Sequence, residues 1–171
     1  MVRKIIAAFC VLMAFVLQTT LFKNLSLGDV CPNLLIVVIS IYGFMYGKKS
    51  GIIVGFVLGL LFDVFFGNFI GFYAALFMYI GYANGLFHKI FYPEDIKLPI
   101  LLIFVSDLVY GLFVYIFMYL LKGRFDFMYY FLHVIIPELV YTIVLTVLIY
   151  PLHLRINSKF DSYELRRDKR A

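Results

Sequence analysis

Between Gly51 and Gly71 the chain reads GIIVGFVLGLLFDVFFGNFIG. Glycine recurs at every fourth place from Gly51 through Gly55 to Gly59; Asp63 takes the next place, and Gly67 and Gly71 close the row. Apart from Asp63 and Asn68, everything between the glycines is apolar. Small residues four apart let two helix backbones approach closely where lipid already satisfies the apolar side chains. An aspartate facing hydrocarbon costs about 2.5–3.5 kcal/mol at the centre of a bilayer, so a second helix has to receive it. The stretch therefore describes a membrane helix that packs closely on another helix, with a polar group near the seam.

The rest of the chain fits that setting. Of 171 residues, 64% are hydrophobic and the mean hydropathy is +1.00. The charged fraction of 15% lies well below the roughly 25% of soluble domains. The class is an integral, multi-pass membrane protein. The formal charge of +5 sits mostly in loops and tail, which makes it a matter of topology and lipid contact rather than nucleic-acid binding. Cys10 and Cys31 are too far apart along the chain's first helix and link to be an expected bridge, and they read as packing residues. No HxH or CxxC spacing accompanies them, so no metal or other cofactor is expected. Arg3 and Lys4 precede an apolar run, as in a signal peptide, but no small-x-small cleavage site follows, and the run is expected to remain as a first span.

Reading apolar runs between charges and breakers gives an all-α bundle of six transmembrane helices, at about 5–22, 32–47, 51–66, 72–87, 99–121 and 137–153. Together they form one domain, 1–153, followed by a short basic tail, 154–171, expected to be solvated and partly disordered. With the N-terminus placed in the cytoplasm, twelve of the 15 basic residues fall on the inner side; Lys23, Lys122 and Arg124 are left outside. The positive-inside rule then puts both termini in the cytoplasm. The links 48–50 and 67–71 are too short to cross a bundle, so spans two, three and four are expected to be antiparallel neighbours. Pro32, Pro99 and Pro137 suit first-turn positions, where a missing N–H costs nothing. The aromatic run RFDFMYYFLHVII before Pro137 reads either as an interfacial helix or as the outer end of span six.

Four polar residues stand inside these spans: Asp63, Asn84, Asp107 and Glu138. Each has two readings: a strut capped by backbone, Tyr or Asn groups and fixing helix registry, or part of a polar site shared among spans three, five and six for a ligand, a proton or a partner's helix. The glycines divide in the same way. Gly51, Gly55, Gly59, Gly67 and Gly71, with Gly81 and Gly85 flanking Asn84 in span four, either pack spans three and four on each other or offer a groove to another protein's helix. Catalysis is not expected. The chain has no Gly-x-Ser-x-Gly, no HExxH and no phosphate-binding loop, and Asp63 and Asp107 lack the Tyr-Asp and Gly-x-Gly-Asp contexts of intramembrane aspartyl proteases.

The segments CPNLLIVV (31–38), KKSGIIVGFVLGLLFDVFFGNFIGFYA (48–74) and GYANGLF (81–87), with the late PELVY (137–141), resemble the MreD family of bacterial rod shape-determining membrane proteins. The chain departs from that family at Asn33, where an acidic residue often follows the proline. The resemblance implies a non-enzymatic scaffold in the cytoplasmic membrane that associates with the bitopic partner MreC. Through it, the scaffold is linked to MreB filaments and to the peptidoglycan glycosyltransferase and transpeptidase. It also implies a six-helix fold shared with the substrate-binding components of vitamin uptake transporters. That kinship supplies a second functional class, a small-molecule binding component of an uptake system.

Overall fold

The computed structural model describes residues 2–22, 30–67, 69–90, 96–123 and 126–168. Asn68, the outer-loop residues Lys23, Asn24, Ser26, Asp29 and Arg124, and the terminal Lys169 and Arg170 lie outside the described residues. What is described is all-helical, with no β-strand among these residues. Helix α1 (Val2–Leu17) is prolonged by a π turn (Gln18–Phe22). After it come α2 (Leu34–Tyr46), α3 (Lys48–Phe66) and α4 (Phe72–Leu86), the last ending in a 3-10 turn (Phe87–Ile90). Helix α5 (Lys97–Val114) runs on through a π turn (Tyr115–Tyr119) and a 3-10 turn (Leu120–Lys122). Finally α6 (Phe127–Tyr130) passes through a π turn (Phe131–Ile135) into α7 (Ile136–Asp168). Three stretches are long and apolar enough to cross a membrane: Lys48–Phe66, Lys97–Lys122 and Phe127–Pro151.

Helix α2 is the hub. It has 13 residues, about 20 Å of helix, too short to span a bilayer core unaided. It is apolar on every side and nearly all of it is buried, against α1, α3, α4, α5 and α7. A helix that neighbours enclose need not match the lipid thickness. Its apolar side chains feed two clusters. Leu35, Ile36 and Ile39 pack with Leu58, Phe77 and Ile80, and Val37, Ile41 and Phe44 pack with Ile103 and Tyr150.

The α2–α3 reversal consists of Gly47 alone. Its φ of 86° lies in the left-handed region, which a side chain would strain. With so short a link, α2, α3 and α4 pack consecutively, and α3 with α4 is the most extensive pairing in the fold.

Two features differ from the expectations. Pro137 falls in the first turn of α7, as expected, but no helix break precedes it, because the helical path is continuous from Phe127 through the π turn into α7. Proline lacks an N–H and crowds the carbonyl four residues back; a wider turn just ahead of it relieves both. From Phe127 onward the aromatic run is thus continuous with this last rod. At the other end the backbone of α7 remains helical through Asp168. Adding turns to an existing helix avoids the cost of nucleation, which a reading of the tail as an isolated segment overlooks. Pro32, by contrast, precedes the helix, and Asn33 takes the N-cap of α2 with its side chain accepting from Ile36 N–H.

Candidate functional site

The glycine row meets its counterpart within the chain. A methyl group added at Gly51 would run into the backbone of Gly81, and one at Gly81 into Gly51. At Gly55 it would strike the Phe77 carbonyl, at Gly59 the backbone of Ala74, and at Gly85 that of Lys48. All five glycines are buried. Gly43 of α2 joins them, facing the Gly81 carbonyl; its isolation in the sequence gave no hint of this. The three helices therefore touch backbone to backbone, a distance that only glycine permits. Gly67 and Gly71 do other work. Gly67 ends α3 with its N–H on the Asp63 and Phe62 carbonyls, and Gly71, at φ 105°, starts α4.

Asp63 is 1% exposed and fully satisfied. Its Oδ2 accepts from the N–H groups of Gly71 and Ala74, and its Oδ1 from that of Tyr73, each at 2.9 Å. The first turn of α4 has N–H groups with no partner inside the helix, and its dipole favours a negative charge there. The carboxylate supplies both needs, locking the end of α3 to the start of α4. Asn84 plays a lesser version of the same part, donating to the Ile80 carbonyl at 2.9 Å and to Ser106 Oγ at 2.8 Å, which ties α4 to α5.

A second polar region lies where α1, α2, α5 and α7 converge. Gln18, in the π turn after α1, accepts from Leu34 N–H at 2.8 Å and donates to the Pro32 carbonyl at 3.0 Å. The Asn33 N–H donates to Thr142 Oγ1 at 3.1 Å, and its Nδ2 donates to Glu138 Oε1 at 3.3 Å. Thr146 donates to the Thr142 carbonyl at 2.7 Å. Beside them Asp107 is 2% exposed. Thr142, Asn33 and Glu138 lie beside it, but neither of its oxygens has a well-formed hydrogen bond among the described residues. The structure thus brings Asp107 and Glu138 together and leaves Asp63 and Asn84 elsewhere.

Next to this cluster is a pocket of about 190 Å³. Gln18, Asn33 and Glu138 form its polar side. Phe62, Phe66, Phe77 and Tyr110 wall the remainder, their rings in mutual contact at centroid distances of 5.3 Å (Phe62–Phe66), 6.2 Å (Phe62–Phe77) and 5.7 Å (Phe77–Tyr110). Gln18 and Thr142 do not stand out in the sequence, since a lone Gln or Thr in an apolar run is commonplace. Thr142 did carry one signal, its place one turn after Glu138. Among the described residues no group of His, Cys, Asp and Glu is arranged to hold a metal ion.

A model of one protein family, described as rod shape-determining protein MreD, matches residues 1–156 of the chain. No curated protein and no solved structure matches it.

Proposed function

This chain belongs to the MreD family of rod shape-determining membrane proteins, and from that premise we propose that it is a six-span, non-enzymatic scaffold of the bacterial cytoplasmic membrane with both termini inside. In this reading it binds an MreC-type bitopic protein and through it joins MreB-type filaments to the peptidoglycan glycosyltransferase and transpeptidase. The observation that carries the proposal is the family match over residues 1–156. Support for the membrane setting comes from the three long apolar helices and from apolar side chains that face outward along them, such as Ile53, Phe56, Leu60 and Val64 on α3. The glycine seam is closed within the chain, so a partner's helix has to meet other faces.

The test has two parts. Depleting the protein in its native host should turn rods into rounded cells, and a tagged chromosomal copy should recover the MreC-type partner from membranes in mild detergent. Rods that persist on depletion would overturn the proposal. So would recovery of a transporter's coupling subunit and ATPases in place of wall-synthesis proteins.

A further inference from the structure

We propose that the pocket between α1, α2, α3, α4, α5 and α7 binds a small organic ammonium group, held by the Glu138 carboxylate and enclosed by aromatic rings. Three observations point to that chemistry. The first is charge. Glu138 lines the pocket, Asp107 lies against it, and no lysine, arginine or histidine lines the pocket or pairs with either carboxylate among the described residues. A half-buried carboxylate beside a second, buried one favours a neighbouring cation. Asn33 is the sole donor to Glu138 among the described residues, at a long 3.3 Å, and Asp107 has no well-formed hydrogen bond among them. Among the described residues the cluster therefore has no positive charge of its own.

The second observation is the wall. Phe62, Phe66, Phe77 and Tyr110 face the same space as the carboxylate. Ring faces attract a cation, most strongly when it is a weakly hydrated organic one. A compact inorganic ion would instead want a shell of oxygens, which this wall does not offer. The third is size. At about 190 Å³ the space falls below the roughly 300 Å³ at which pockets for drug-sized molecules begin. It suits an ammonium head and not a vitamin. That head can belong to a free amine or to a phosphatidylethanolamine headgroup.

The experiment uses the full chain in nanodiscs of phosphatidylglycerol alone, or of phosphatidylglycerol with phosphatidylethanolamine. Ethanolamine and tetramethylammonium chlorides are titrated against sodium chloride of equal strength, with calorimetry as the readout. In phosphatidylglycerol discs both ammonium probes should bind saturably, and Glu138→Gln should weaken binding by about tenfold or more, the scale of losing one charged contact. Phe66→Leu, at a half-exposed position, removes one ring without opening the core and should weaken tetramethylammonium in particular. If phosphatidylethanolamine co-purifies one-to-one with wild type but not with Glu138→Gln, and blocks the added amine, the headgroup is the source. If its presence changes nothing, the source is a free amine. Absence of saturable binding by both probes, or binding left intact in Glu138→Gln, would overturn the proposal.

Discussion

The α3–α4 seam and the convergence of α1, α2, α5 and α7 both bury carboxylates, but with opposite outcomes. In the seam, Asp63 accepts three backbone hydrogen bonds at 2.9 Å and the glycines around it leave no space for even a methyl group. Across the bundle, Asp107 is as deeply buried but has no well-formed hydrogen bond among the described residues, and a cavity opens beside Glu138. One acid is part of how the fold closes. The other is a cost that the described residues offset poorly, which is the pattern expected where structure has been kept for something besides stability.

Substitutions should separate the two regions. The largest effect belongs to the seam: Gly51→Leu or Gly81→Leu forces apart two backbones in contact, and the full-length protein should fail to accumulate in membranes, read by quantitative immunoblot. Next is Asp63→Ala, which strips three N–H groups of their acceptor and should cost about 3 kcal/mol or more, seen as a lowered thermal midpoint in detergent. Asn33→Ala should cost an intermediate amount, about 1–2 kcal/mol, through loss of the α2 cap. Smallest is Phe56→Leu on the outward face of α3, which is 47% exposed and should change stability by less than about 0.5 kcal/mol. If Phe56→Leu instead left stability alone but abolished recovery of the partner, that face would be the docking surface.

Much of this contrast was half-visible in the sequence. The seam was legible because glycine at four-residue spacing has few other uses in a membrane helix, and because the 67–71 link is too short to separate its helices. The role of Asp63 was legible as one of its two readings, a backbone-capped strut, but which groups cap it was not, since backbone N–H groups of the following helix carry no side-chain signature. For the same reason Asp63→Asn is not the gentle change that a simple strut implies. Both carboxylate oxygens accept from N–H groups, and an amide nitrogen would face donors. Pro137 read naturally as a helix start, because a π turn is a matter of local geometry that no residue type announces. Asp107 and Glu138 were grouped with Asp63 in one possible site of spans three, five and six, and only the first two meet. Their meeting depends on α5 and α7 packing together, which spacing along the chain does not encode.

The most direct test is a paired one: the thermal midpoints of Asp63→Asn and Asp107→Asn, measured on full-length protein in the same nanodiscs. The first should fall by several degrees, since about 1 kcal/mol corresponds to roughly 2–4 °C at this size. The second should hold or rise, because neither Asp107 oxygen has a well-formed hydrogen bond to lose among the described residues. Equal losses in both would mean that Asp107 is satisfied after all, and the contrast between the two regions would fail.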